Sequence, residues 1–321
     1  MNESISKINL YDKLNASVLG VVTPEISKLN ALRKKNGYSE KPTFEKPFPM
    51  PFEYISINGI QIRIAKSLID EKKPTVVLLS PFPHSIMAFA PIWEILKDQF
   101  NLYAYDLPGF GRSDTSPTFM NFKFQGDFLN DFIAHFKIEN AHLVGPDVGM
   151  PTVLYYVGVF KNKVKSIMVG DGPAIAPSSN ASVIRKMVGS GFWRSIFKVA
   201  GNGALVEAGK RICYVNYVPN EYEMSDYKKA YSGKVSDTMK WFKDYPKSLA
   251  QVDPLLEKIT TPTKIFWGND DAILLKDNGE RLNERMPNSE LQIFENCGHF
   301  SYQDRYIEFA DMVKQWVGKH P

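Results

Sequence analysis

Leu143-Val144-Gly145-Pro146-Asp147-Val148-Gly149 reads as the end of a buried strand, a sharp turn and the start of a helix. The Gly-x-Asp-x-Gly spacing relieves crowding where a strand turns into a helix and lets the central side chain project into a pocket. Backbone N–H groups at the helix N-terminus behind the turn favour negative charge. Asp147 is therefore expected to be ionised and nucleophilic. Taken alone, the motif also suits a loop aspartate that caps a helix.

Working outward, Ile55, Ile57, Asn58-Gly59, Ile60, Ile62 and Ile64 alternate around a tight turn and predict a hairpin. Further strands are expected at 75–80, 101–106, 141–145, 165–169, 263–267 and 290–294. Helices are expected near 88–98, 122–136, 150–160, 277–286 and 303–317. This alternation implies an α/β fold with a mostly parallel sheet flanked by helices. It stops over 172–246, an aromatic, helix-forming stretch that reads as a cap inserted after the sixth strand, over the carboxyl ends of the strands. Open α/β sheets bind ligands there. The domain reading is thus an extension and Pro-rich linker at 1–51, a core at 52–171, the cap at 172–246 and the rest of the core at 247–321. Within the extension, Ile26, Leu29 and Leu32 predict a helix near 24–36, and Pro42, Pro47, Pro49 and Pro51 break the chain. The extension is an arm packed on the main domain or, more sharply, a lid or a dimer arm, so a homodimer stays among the expected partners.

At 321 residues, 44% hydrophobic and 23% charged, the chain has the composition of a soluble globular protein with a sizeable core, which excludes global disorder. Its two cysteines, Cys213 and Cys297, exclude a disulfide framework but leave one bridge open. The formal charge is +4 and the lysines are scattered along the sequence, so neither nucleic acid nor a membrane surface is an expected partner. No run of apolar residues is long enough for a span or an export signal, which makes the cytoplasm the expected location. No HExxH, paired CxxC, P-loop or GxGxxG after a strand is present, so neither metal nor cofactor is expected.

Two further stretches give Asp147 company. Trp267-Gly268-Asn269-Asp270-Asp271 ends a strand where a carboxylate can orient a histidine, and Cys297-Gly298-His299-Phe300 follows the last strand. The chain order of nucleophile, acid and histidine is the order this kind of fold imposes on a triad. Asp171, directly after the sixth strand, is the alternative acid, and Asp270 reads as a solvated neighbour.

On these residues the chain resembles the α/β-hydrolases, from about Phe52 to Val317. With Asp147 where most members carry serine, it is similar to the aspartate-nucleophile branch, chiefly epoxide hydrolases and haloalkane dehalogenases. The resemblance makes Asp271 the default acid and gives Asp106 and Arg112, in the turn Asp106-Leu-Pro-Gly-Phe-Gly-Arg-Ser113, structural roles. Ser80-Pro81-Phe82-Pro83 replaces the usual His-Gly-x-Pro, yet it keeps the proline that often follows a cis bond. Phe82 and Val148 match the positions whose N–H groups form the oxyanion hole. His84 reads as a polar loop residue and Cys297 as core packing.

The chemistry this implies is attack by Asp147 on an electrophilic carbon, followed by hydrolysis of the ester by water that His299 deprotonates. Dehalogenation is disfavoured, because Phe82 and Val148 bring no side-chain donor for a halide. Epoxide opening needs an acid, usually a cap tyrosine. Phe242, in Trp241-Phe242-Lys243-Asp244, has lost that hydroxyl, which leaves Tyr214, Tyr217 and Tyr245 as candidates. The expectation is an epoxide hydrolase-like enzyme for a small or medium apolar substrate. A lactone or ester hydrolase, for example of acyl-homoserine lactones, is the alternative within enzymes, and a non-catalytic ligand-binding member of the fold is the alternative outside them.

Overall fold

Asn58 and Gly59 both take positive φ, 51° and 79°, which suits the two-residue turn between β1 (Phe52–Ile57) and β2 (Ile60–Ser67). These strands begin the sheet of a computed structural model that describes residues 4–21, 23–160 and 164–321. The other strands are β3 (Thr75–Leu79), β4 (Asn101–Tyr105), β5 (Ala141–Pro146), β6 (Val164–Gly170), β7 (Thr263–Gly268) and β8 (Ser289–Phe294). Their order across the sheet is β1-β2-β4-β3-β5-β6-β7-β8. β2 is antiparallel to both neighbours, and every other pair is parallel. The central strands β3 and β5 are almost wholly buried, as expected where helices cover both faces.

Five helical segments lie between β6 and β7: Ser182–Gly189, Gly191–Cys213, Glu221–Ala230, Val235–Leu249 and the short turn Asp253–Lys258. The expected boundary at 246 falls inside the helix Val235–Leu249, which passes through Pro246. Proline removes one helical hydrogen bond, but the last turn is held from outside, since Ser248 Oγ accepts the Phe122 N–H at 2.8 Å. The helix Gly191–Cys213 is interrupted at Gly201, whose φ of 85° is open to glycine.

The N-terminal arm carries the expected helix, Ile26–Lys35, and a second one at Leu10–Gly20 that the sequence reading did not anticipate. Asn9 and Asp12 form a capping box at its start. Its periodicity was masked because apolar residues occupy both faces. Ala16 and Leu19 are buried, while Leu10, Leu14 and Val18 are exposed. Asp12 pairs with Lys228 at 2.6 Å, and Arg211 donates to Ser17 Oγ at 2.8 Å, so the arm is tied to the inserted helices. Cys213 and Cys297 are both buried free thiols, which closes the question of a bridge.

A buried ionic cluster joins the insertion to the core. Arg63 on β2 donates through Nε to Asp106 at 2.8 Å and through both terminal nitrogens to Asp226 at 2.7 and 3.0 Å. Asp106 also accepts the N–H groups of Ile86 and Arg112, and Asp226 accepts Ser85 and Arg112. Asp106 and Arg112 are therefore structural, as the sequence implied. Removing the central cation takes from Asp106 its hydrogen-bonded guanidinium and leaves Asp226 with Arg112, and breaking such a network costs about 3–5 kcal/mol. Arg63→Met is expected to lose that much stability in urea unfolding, and an unchanged midpoint with unchanged slope would show the cluster to be dispensable.

Candidate active site

Asp147 sits at the elbow between β5 and the helix Gly149–Val159 with a φ of 50°, a strained value for a residue with a side chain. The turn closes only because its flanks carry no side chain. A Cβ on Gly145 would lie 2.5 Å from the Gly149 carbonyl oxygen, and one on Gly172 would lie 2.3 Å from that of Asp147. The elbow aims the carboxylate at the loop after β3, where Asp147 Oδ2 accepts the Phe82 N–H at 2.6 Å. The Val148 N–H, at the same turn, also favours the charged form of this carboxylate. The Phe82–Pro83 bond is cis, in keeping with the position it matches.

The expectation that the helix N-terminus keeps Asp147 fully ionised needs correction. Burial dominates and pushes its pKa up to about 7, although the His299 charge and the Phe82 and Val148 N–H groups pull the other way. The elbow thus holds a poorly solvated carboxylate that titrates near neutrality.

His299, on the loop after β8, is buried, and its Nδ1 lies 2.8 Å from Asp271 Oδ2. The other Asp271 oxygen accepts the N–H groups of Ile273 and Leu274 at 2.8 and 3.0 Å. Asp271 therefore meets the imidazole with one oxygen and is anchored by the other. Burial disfavours the imidazolium, but Asp271, Asp147 and Asp171 outweigh it and raise His299 to about 9. Asp171 bonds elsewhere. Its oxygens accept the Gly268 N–H at 3.0 Å and the Ser301 hydroxyl, so it staples the β7 end to the histidine loop. Burial and the neighbouring Asp271 charge push its pKa up. Asp270 is held by Lys28 of the arm at 3.4 Å rather than by water alone.

Of the three tyrosines singled out, the structure brings one to this site. Tyr214 donates to Gln303 Oε1 at 2.6 Å and Tyr217 to Glu223 at 2.8 Å, both away from Asp147. These two are corrected to structural members of a buried polar cluster, because the segment 214–217 turns back beneath the insertion. There Asp304 accepts the N–H groups of Val215, Asn216 and Tyr217. Tyr245 lines the same cavity as Asp147 and His299, with its hydroxyl 3.0 Å from Asn180 Oδ1. Burial keeps that phenol protonated by raising its pKa. His84 lies on the loop after β3 but is buried. It packs between Tyr227 and Phe300, with centroids 4.1 Å away on each side, and burial drives it to the neutral form.

The cavity measures about 430 Å³, and its walls are almost wholly apolar. Phe82, Trp241, Phe242 and Ile273 line the end near the carboxylate, and Met187, Phe197, Leu205 and Ile212 line the body. Two contributions were not read from the sequence. The indole N–H of Trp241 is buried without a hydrogen-bond partner, and the arm supplies Ala16, Leu19 and Val21 to the wall. The sequence singles out the Trp241 stretch only for its neighbour Phe242, and no local pattern links residues 10–21 to Asp147, which lies far along the chain. Among the described residues no group of His, Cys, Asp and Glu is arranged to hold a metal ion.

Residues 74–306 match the model of the alpha/beta hydrolase fold family, most of the chain. The chain belongs to this family. A 2-hydroxy-6-oxononadienedioate/2-hydroxy-6-oxononatrienedioate hydrolase from Cupriavidus pinatubonensis is 24% identical over 229 residues, 68% of this chain and 76% of that protein. Among solved structures, the epoxide hydrolase CorEH superposes with a TM-score of 0.72 at 19% identity, covering 84% of this chain and 99% of its own. A putative ancestral haloalkane dehalogenase gives 0.72 at 19%, covering 83% and 98%. This α/β-hydrolase is thus an enzyme of the hydrolase class with the architecture shared by those two groups.

The two acids predict opposite mutational behaviour. Asp271→Asn removes the anion that orients His299 and is expected to cut turnover by roughly 10²–10⁴-fold. Asp171→Asn leaves the carboxylate on His299 in place and is expected to stay within about tenfold. Steady-state rates of the two variants on one substrate decide the matter, and the reverse ranking would transfer the orienting role to Asp171.

Proposed function

We propose that this α/β-hydrolase opens an apolar epoxide through a covalent ester on Asp147. The observation that carries the reading is the hydrogen bond from the Phe82 N–H to Asp147 Oδ2. An ester or lactone hydrolase needs its oxyanion hole open to the substrate carbonyl. Here the nucleophile's own oxygen fills it, and Oδ1 is left to attack. The same two N–H groups then face the oxygen that becomes negative when water attacks the ester. This arrangement supports displacement at an sp³ carbon over the lactone alternative.

In the proposed sequence Asp147 Oδ1 forms a bond to a ring carbon while the C–O bond breaks and its electron pair goes to the ring oxygen. That oxygen takes the proton of Tyr245, the one candidate phenol on the cavity wall, once the hydroxyl turns away from Asn180 Oδ1, to which it donates in the structure. Esterification removes the Asp147 charge, so His299 loses one of the anions that raise its pKa and passes its proton back to the Tyr245 phenolate, which leaves the imidazole neutral and able to accept another. Held by Asp271, it deprotonates water, which attacks the carbonyl carbon. The tetrahedral intermediate then breaks its bond to the alkoxide, which takes the proton left on the attacking oxygen to complete the diol and leaves the Asp147 carboxylate beside a protonated His299. The residues 172–249 act as the cap in this scheme, and no cofactor takes part.

Three results test the scheme. His299→Gln is expected to accumulate the hydroxyalkyl ester, seen by intact mass as the enzyme plus one substrate, while Asp147→Ala gives neither adduct nor turnover. Tyr245→Phe is expected to lower epoxide turnover by roughly 10²-fold or more, the scale for losing a positioned acid. An epoxide-active Tyr245→Phe variant at full rate would remove the phenol from the mechanism. Because the carboxylate is the reactive form, the single-turnover alkylation rate should rise with pH through about 7 and level off above it.

A further inference from the structure

Several of the cations that look scattered along the sequence share one face of the folded chain with six large exposed apolar side chains. The helix Leu10–Gly20 lies on the first half of the helix Gly191–Cys213, and a groove between them is lined by Asn15, Val18, Phe192, Ile196 and Val199. On the outer side, Leu10, Leu14, Val18 and Val21 follow one another at helical spacing with exposures of 72, 60, 52 and 78%. Across the groove, Phe192 and Val199 are 69 and 77% exposed. Side chains of this size are seldom left together in water without a use.

Charge identifies what covers this face. The inserted helices Ser182–Gly189 and Gly191–Cys213 carry Arg185, Lys186, Arg194, Lys198, Lys210 and Arg211 against a single acid, Glu207, which is paired with Arg211. The arm adds Lys13 and Lys7, the latter paired with Glu221, while its Asp12 is buried against Lys228 and its Glu25 is held by Ser182. Lys186 also lies 5.5 Å over the ring of Trp193. A second copy of the chain would bring an equally basic face to this one and is disfavoured. An amphipathic helix with exposed aliphatic and aromatic residues and a cationic border matches instead the interface of an anionic lipid layer.

The face also frames a way in. Ser17, Val21 and Arg211 line the catalytic cavity, and the same helix carries the exposed row Leu10, Leu14 and Val18 on its other side. No helix among the described residues is long and apolar enough to cross a membrane, so the association is peripheral. We propose that the helices Leu10–Gly20 and Gly191–Ala200 seat the protein on anionic bilayers, with the cavity mouth at the lipid surface, so that an apolar substrate enters from the layer rather than from water. This docking does not depend on which reaction Asp147 performs.

The test is co-sedimentation of the full chain with vesicles of phosphatidylcholine alone and of phosphatidylcholine mixed with phosphatidylglycerol, at low and high salt. The protein is expected to pellet with the anionic vesicles, with weaker binding at high salt and on the zwitterionic ones. Leu14→Glu/Val18→Glu and, separately, Phe192→Glu alter exposed positions outside the catalytic cavity and are expected to weaken partitioning by roughly tenfold or more. Circular dichroism and turnover on a water-soluble substrate show that these variants remain folded. Lys198→Glu should lower binding in the same assay. Wild-type protein that stays in the supernatant with anionic vesicles at low salt overturns the proposal, as do variants that bind unchanged. A dimer in sedimentation velocity that the same substitutions abolish overturns it as well, and assigns the face to a second copy.

Discussion

The contact between the Phe82 N–H and the Asp147 carboxylate is where the demands of the fold and of the chemistry meet. β3 and β5 are neighbours in the sheet, so the loop leaving one lies beside the elbow leaving the other. The carboxylate reaches that loop only with the backbone at a φ of 50°, and the turn tolerates this only with Gly145 and Gly172 at its sides. The result is an anion removed from water and given fixed dipoles instead. Burial alone would leave it protonated, and the dipoles with the nearby imidazole bring it back to the edge of ionisation.

Three carboxylates share one imidazole, and they cannot all be charged in so small a buried space. Their partners sort them. Asp271 uses one oxygen on the imidazole and the other on two backbone N–H groups. Asp147 has its own backbone pair and the far side of the histidine's field. Burial and the facing Asp271 charge push the pKa of Asp171 up. A buried group can thus stand close to the chemistry, respond strongly to its electrostatics and still serve as a structural staple.

How much of this was legible in the chain depends on how local each signal is. The elbow, the hairpin at Asn58-Gly59 and the buried strands carry their own residues' turn chemistry and periodicity, and they appear in the structure within a residue or two. Asp271 and His299 were found because strand ends of an α/β sheet converge on one edge. The tyrosines were not separable by sequence, since Tyr214, Tyr217 and Tyr245 are all aromatic residues in helical or turning segments, and only tertiary partners distinguish them. Tyr214 and Tyr217 are committed to Gln303 and Glu223, contacts 89 and 6 residues apart. The helix Leu10–Gly20 escaped for a related reason, because apolar residues on two faces erase the contrast on which pattern reading relies.

The ionic cluster around Arg63 has a mechanical consequence for the insertion. It pins the helix Glu221–Ala230 to β2 and to the turn after β4, and Asp304 pins the segment 215–217 to the histidine loop by a set of backbone N–H groups. Both anchors lie in the later half of the insertion. The earlier half, from Ser182 to the break at Gly201, is held to its surroundings mainly by packing. The later half is thus the firmly tied part of the insertion, and the earlier half, interrupted at Gly201, is the part with fewer polar ties to the core.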